Sequence, residues 1–354
     1  MSPSVSHGEW IVRPYRPGDE GALVALFQRA FQRTITEAHW RWKLKQLPTP
    51  VENVWLAVAG ERVIAQYASI PVRYRLPQGE RVLMVGADVM TAPEYRRRGL
   101  FTGLAQLAYE TWHRAGIPLT IGLPNEQWGS RKALLGWTEL FPLQYLVRPL
   151  RPERVLARRL NVPILGRLAW PGAWWNRRVD RRLPEDATIQ VRGVSEAGPE
   201  FDRLWETCGA DIELSTVRDA AWVRWRYLSA PSFEYQVRLA ERSGRAVGYA
   251  AFRIDESRGR RVGAIAEVFT SRSDTGARQT LIRRVVEEIR SMGAEQAVNL
   301  AVPGTPTWQA FRAAGFLPRH RFTVEVNRLD PAVPLDLLRD RSHWSMAGSD
   351  FDVI

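Results

Sequence analysis

The chain has 354 residues, 45% of them hydrophobic and 25% charged, with 26 Gly and 23 Pro, a composition that excludes collagen-like and disordered chains and predicts two globular domains at roughly 150 residues each. Its 50 Lys and Arg against 38 Asp and Glu give +12, which points to an anionic partner or to an arginine-biased genome, since lysine occurs only at Lys43, Lys45 and Lys132. One cysteine, Cys208, and five scattered histidines exclude an intramolecular disulfide and leave no expectation of a metal centre.

Taken in chain order, Met1 to Arg16 is polar and without an apolar leader core, and no apolar run reaches the roughly 20 residues of a membrane span. The expected location is therefore the cytoplasm. A short strand near Trp10–Arg13 precedes a helix with Leu23, Leu26, Phe27 and Ala30 at 3.6-residue spacing, and a second helical stretch carries Trp40, Trp42 and Leu44. Strands are predicted at Val54–Ala59 and Val63–Tyr74, joined at Gly60-Glu61 as a hairpin, and at Val82–Thr91. Gly99–Gly116 reads as a helix with Leu104, Leu107, Ala108 and Trp112 on one face, Ile117–Leu123 as a buried strand, and a short helix then ends at Gly136. This order predicts an α/β domain with a mixed sheet flanked by helices.

The pattern then returns. Trp42 and Pro48 recur as Trp225 and Pro231, both at a shift of 183 residues, and Arg62–Ala65 falls on Arg245–Gly248. Asp88-Val89-Met90-Thr91 matches Glu267-Val268-Phe269-Thr270, Gly116 matches Gly293, Leu123 matches Leu300, and Gly136-Trp137 matches Gly315-Phe316, at shifts of 177 to 179. An ordered series of this kind predicts two copies of one fold, over residues 8–150 and 189–330. Between them, 151–188 reads as a connector. The stretch from Arg148 to Arg182 holds ten arginines against Glu153 and Asp180, with Trp170, Trp174 and Trp175. It packs between the domains or offers a basic, aromatic surface to an acidic carrier protein or an anionic membrane.

The chemistry is expected where the third strand meets its helix. Pro93 ends the strand, three arginines follow at Arg96, Arg97 and Arg98, and Gly99 opens the helix. Arginines are unfavourable beside a helix N-terminus unless an anion sits there, so the exposed amides and guanidinium groups predict a phosphate cradle. This stretch resembles the acyl-CoA loop of the GNAT superfamily of N-acyltransferases, Gln/Arg-x-x-Gly-x-Gly/Ala. Arg96-x-x-Gly99-x-Phe101 fits it with Phe101 in place of the final small residue, and the Arg-Arg-Arg-Gly-Leu run at 96–100 resembles that of tandem-GNAT proteins such as the enhanced-intracellular-survival family.

The resemblance implies two tandem GNAT-like domains and acetyl-CoA, or another acyl-CoA, as co-substrate. It implies that Arg96, Arg97, Arg98, Gly99, Leu100, Phe101 and Thr102 hold the pyrophosphate, and that the strand at Val89, Met90 and Thr91 pairs with pantetheine. Asn125, eleven residues before Gly136, would bond to the pantetheine arm, although an Asn also suits a helix N-cap. Where many relatives place an acidic tyrosine this chain has Lys132, which would stabilise a thiolate, with Tyr109 and Tyr145 as alternatives. Asp88 and Glu126 are the candidate bases for the attacking ammonium. In the second copy the loop Ser271–Arg278 has no arginine run before its glycine, so that copy is expected to have lost CoA.

The function expected is transfer of an acyl group from acyl-CoA to an amine on a small molecule or peptide. Alternatives are a non-catalytic binder of acyl-CoA or acyl carrier protein and an aminoacyl-tRNA-dependent transferase, although no specific nucleic acid is expected. The acidic tail, 331–354, either docks on the second copy or carries its terminal carboxylate to the first as a base.

Overall fold

Apolar residues at helical spacing set α1 (Glu20–Phe31), which buries Leu23, Leu26 and Phe27, and Thr36 accepts a bond from the His39 amide to cap α2 (Glu37–Leu44). The computed structural model describes residues 5–6, 9–124, 128–129, 131–154, 169–181, 183–257 and 259–351. Before α1 lie β1 (Val5–Ser6) and β2 (Ile11–Pro14). After α2 come β3 (Val54–Ala59), β4 (Arg62–Leu76) and β5 (Gly79–Thr91), then α3 (Leu100–Arg114), β6 (Leu119–Gly122) and α4 (Arg131–Leu134). Strands β1 to β5 are antiparallel neighbours, and β5 pairs with β6 in parallel. The sheet is therefore mixed. Helix α3 packs Leu104, Ala105, Ala108 and Trp112 against Tyr67, Ala65 and Met84 of the sheet.

Helix α5 (Ala169–Asp180) follows β7 (Trp137–Pro149), and then β8 (Ile189–Val194), α6 (Pro199–Cys208), β9 (Leu214–Thr216) and α7 (Ala220–Val223). An antiparallel meander β10 (Tyr235–Arg242), β11 (Arg245–Ser257) and β12 (Arg260–Thr270) leads into α8 (Thr275–Ser291) and β13 (Gln296–Ala301), which pairs with β12 in parallel. Next come α9 (Pro306–Ala313), β14 (Leu317–Arg328), α10 (Leu335–Arg339) and β15 (Trp344–Ser345).

The chain divides into two compact units, and neither is one uninterrupted stretch. One comprises 1–141 and 323–341, the other 142–322 and 342–354. A simple partition at 150 and 189 misses this, because local periodicity carries no signal for which sheet a strand joins. Residues 325–328 of β14 pair antiparallel with β6, so the first unit's sheet takes a strand from the far end of the sequence. In the second unit residues 144–149 of β7 pair antiparallel with β13.

The connector's described part belongs to the second unit. Val179 and Leu183 are buried, and Asn176 donates to the Leu150 carbonyl at 2.7 Å. Trp174, Arg177, Arg178 and Arg181 are exposed, whereas 155–168 and Arg182 lie outside the described residues. Arg148 is not available to an external partner as the sequence suggests. Its side chain is 1% exposed and pairs with Asp180 at 2.6 Å, which Arg290 also reaches at 3.0 Å. Burial pushes the Asp180 carboxyl up, but hydrogen bonds from Arg290 and Arg148 prevail and hold it below the ordinary aspartate value. The stability from this pair is thus present above the carboxylate range and lost as pH falls through the depressed pKa. Asp180→Asn should cost about 3–5 kcal/mol by leaving Arg148 buried without its counter-charge; a urea midpoint equal to wild type would refute this.

Candidate active site

Strand β5 carries a bulge. Its register against β4 shifts between Gln66 and Ala68, and Asp88 there adopts a left-handed φ of 45°, a strained conformation for a residue with a Cβ. Beyond the bulge β5 has parted from β6, since their described pairing stops at Met84↔Thr120 and Val85↔Ile121. The β6-facing backbone of the strand through Thr91 therefore has no described strand partner and offers amides and carbonyls to an extended ligand.

That edge leads into the loop and α3. Arg97 and Gly99 both have left-handed backbones, with φ of 64° and 81°. No side chain caps α3, so the amides of Leu100, Phe101 and Thr102 lack intrahelical acceptors, while Gly103 donates to the Gly99 carbonyl. A Cβ at Gly99 would point into open space. Gly99 lines a cavity of about 570 Å³ with Val89, Met90, Thr91, Arg96, Arg97, Leu100, Phe101 and Thr102, together with Ala30, Phe31, Tyr95, Trp128 and Arg131. Three arginines and no described carboxylate line it, so with the helix dipole its field favours an anion.

The other sequence candidates fall elsewhere. Arg98 turns to Glu9 at 2.9 Å and lines a separate groove with Trp10 and Gln106. Asn125 and Glu126 lie outside the described residues. Asp88 is buried, with Lys43 Nζ 2.5 Å from its carboxylate. Its carbonyl accepts from Gln66 Nε2, and Gln66 in turn accepts from the Trp40 indole. Lys132, on α4, pairs with Glu325 and lies 3.5 Å from Glu139. Of the tyrosines, Tyr109 shares a 2.6 Å hydrogen bond with Tyr67 and accepts from the Trp137 indole at 2.8 Å. Burial pushes its hydroxyl up to about 12. Tyr145 lies in the second unit's segment, where burial likewise raises its hydroxyl.

Sequence reasoning missed Phe31, Trp128, Arg131 and Glu325. Trp128 stacks edgewise between Phe101 and Trp137, with centroids 5.1 Å from each. The nearby Trp128 and Arg131, following the Asn125 motif, were legible in principle. Glu325 was not, because only the exchanged strand brings it here.

The second unit also has a bulge, between Ala251 and Phe252 opposite Glu267, and the described pairing of β12 with β13 runs from Val262 to Ile265. At the N-terminus of α8 the loop's own side chains make the contacts. Asp274 caps α8 by accepting from Ala277 and pairs with Arg242 at 2.7 Å, and Arg278 donates to the carbonyls of Ser271 and Arg272. The turn Gly348–Asp350 packs on β12 and β13, and Ala347 bridges to Ala301. Asp350 binds Arg218 at 2.8 Å, and Arg218 also binds Glu267. Of the tail, 331–341 belongs to the first unit and 342–351 docks in the second; residues 352–354 lie outside the described residues.

No described helix is long and apolar enough to cross a membrane, and the described residues hold no cluster of three potential metal ligands.

A family model for an acetyltransferase (GNAT) domain matches residues 11–133. A search of curated proteins returns no match. Among solved structures, a GCN5-related N-acetyltransferase from Anabaena variabilis aligns over 91% of this chain and 73% of its own, with a TM-score of 0.66 at 14% identity. One from Kribbella flavida aligns over 92% and 73%, with 0.62 at 15%. The N-myristoyltransferase of Saccharomyces cerevisiae, with bound myristoyl-CoA, aligns over 91% and 83%, with 0.62 at 11%. These likenesses concern the fold. The residues that build the bulged strand, the loop and the cavity lie inside the matched segment: 11–133, about a third of the chain, matches an acetyltransferase (GNAT) domain, and the protein is an enzyme, an N-acyltransferase.

Proposed function

We propose that the first unit binds acetyl-CoA in the cavity at the N-terminus of α3 and transfers its acyl group directly to an amine. One observation carries this reading: an unpaired strand edge at Val89–Thr91 runs into an uncapped helix N-terminus ringed by Arg96, Arg97 and Arg131. The strand edge suits the amide-bearing pantetheine arm, and the helix end suits the pyrophosphate. Attack forms the C–N bond and expels the thiolate, while the ammonium proton of the acceptor goes to base or solvent. Lys132 is the proposed source of positive charge for the thiolate. Asp88 enters the proposal through its pair with Lys43, which fixes the bulge, and Asn125 and Glu126 remain candidates for pantetheine binding and proton removal.

The second unit is, in this reading, a degenerate GNAT-like copy in tandem with the first. It retains a bulge, but Asp274 caps its α8 and the turn Gly348–Asp350 packs on β12 and β13. The exposed Trp174, Arg177, Arg178 and Arg181 are what the connector offers to an acidic carrier or an anionic surface. A longer acyl group is the alternative to acetyl, because the fold is shared with a protein that holds myristoyl-CoA.

Calorimetry with acetyl-CoA and myristoyl-CoA, followed by thiol-release assays over pools of amines, tests this. One-site binding and amine-dependent thiol release are expected. Binding without release under any amine would leave a non-catalytic acyl-CoA module, and no binding of either thioester would reject the reading.

A further inference from the structure

Lys132 stands where the family resemblance expects a tyrosine, and the structure supplies it with a partner the family motif does not include. Its ammonium pairs with Glu325, whose side chain is 1% exposed against 28% for Lys132. Glu325 lies on β14 directly opposite Gly122, the last residue of β6. This is the strand that has parted from β5 to open the unpaired edge. Two residues on, and therefore on the same face, Asn327 donates to the Leu135 carbonyl at the end of α4 at 2.8 Å. Thus β14 holds α4 at two points, one neutral and one charged. The neutral bond serves packing. A carboxylate buried to reach one lysine is costly to desolvate and is explained by what it does to that lysine.

We infer that Glu325 is a positioning residue of the acyl transfer, holding Lys132 protonated and fixed beside the open end of β6 to receive the departing thiolate. The assignment rests on the acyl-CoA reading above. As the C–S bond breaks, its electron pair stays on sulfur, and the Lys132 ammonium, kept charged by Glu325, stabilises the thiolate electrostatically. The thiolate leaves as such or takes its proton from solvent. Two carboxylates act on Lys132, Glu325 from β14 and Glu139 from β7 at 3.5 Å; Arg131 precedes it on α4. The Glu325 hydrogen bond raises Lys132 above the ordinary lysine value, with Glu139 adding to it and partial burial opposing it. Burial pushes the Glu325 carboxyl up while Lys132 draws it down.

The full-length Glu325→Gln protein separates positioning from packing. Its kcat should fall about tenfold or more at alkaline pH, and the alkaline limb of its pH profile should move down by about one unit or more, the effect of removing one close opposite charge. Its acetyl-CoA affinity should stay within about threefold of wild type. Lys132→Met should show the same loss in kcat without an alkaline limb. The Lys132→Met/Glu325→Gln double variant, which buries no unpaired charge, should be no slower than Lys132→Met alone. That double variant decides the matter if Glu325→Gln does not fold. A Glu325→Gln profile superimposable on wild type, or losses that multiply in the double variant, would overturn the assignment while leaving acyl-CoA binding intact. Failure of the wild type to bind acyl-CoA would instead remove the underlying reading and this assignment with it.

Discussion

Gly99→Asp should lose acetyl-CoA binding by roughly 100-fold or more, about 2.7 kcal/mol or greater, with the fold retained. Two effects add. The new side chain enters the open space in front of Gly99, and its carboxylate faces the position proposed for the pyrophosphate, where it also competes for the free amides of Leu100 to Thr102. A third effect must be separated from these: the left-handed backbone at Gly99, φ 81°, strains any residue with a Cβ by about 1 kcal/mol or somewhat more. Gly60→Asp is the control. Gly60 also has a positive φ, 59°, with nothing within 4 Å of a Cβ, and sits in the β3–β4 turn away from the cavity lining. Both variants should lower Tm by a few degrees, and only Gly99→Asp should lose the ligand in calorimetry. Equal affinities for the two variants would remove the helix end from the binding site.

How much of this was legible depended on whether the determinant was local. The α3 helix, the β3–β4 hairpin and the strand at β5 follow from spacing and turn residues, and the structure places them within a few residues of the expected limits. The loop was readable because Arg96, Arg97 and Gly99 lie together and conflict with the helix dipole unless an anion is present. Arg98 shows the limit of that argument. It belongs to the same run, yet Glu9 draws it to another groove, and sequence neighbours on a curved loop need not face one ligand. The strand exchange was illegible for a deeper reason. β7 and β14 read as ordinary strands, and the choice of sheet is made by long-range pairing that leaves no periodic trace. Glu325 and Arg148 were misjudged or missed for this one reason, since their environments come from elements far away in the chain. The matching of Asp88 to Glu267 was visible as a substitution of one acid for another. Its meaning was visible only when each proved to hold a buried cation, Lys43 in one unit and Arg218 in the other.

Asp350→Ala should destabilise the protein by about 3–5 kcal/mol, the cost of breaking a buried ion pair from one side. Asp350 and Arg218 have side chains 3% and 1% exposed, so water cannot replace the lost partner. Arg218 would keep Glu267, but Glu267 already accepts hydrogen bonds from Tyr227 and Tyr249, and the buried cluster would lose the negative charge that Asp350 supplies to Arg218. The Asp350 carboxylate also accepts from the Ala347 amide at 2.7 Å, so the turn that packs on β12 and β13 would loosen with it. For a unit of this size the loss corresponds to a fall in Tm of roughly 6–20 °C. The alternative role for the acidic tail, as a base in the chemistry, predicts the reverse pattern: an unchanged Tm with turnover reduced by roughly 100-fold or more. Thermal unfolding beside acetyl-CoA calorimetry and turnover below the transition distinguishes them. A large fall in Tm with acetyl-CoA affinity preserved in the folded protein assigns Asp350 to holding the turn Gly348–Asp350 in the second unit, because its carboxylate pairs with Arg218 and accepts from the Ala347 amide.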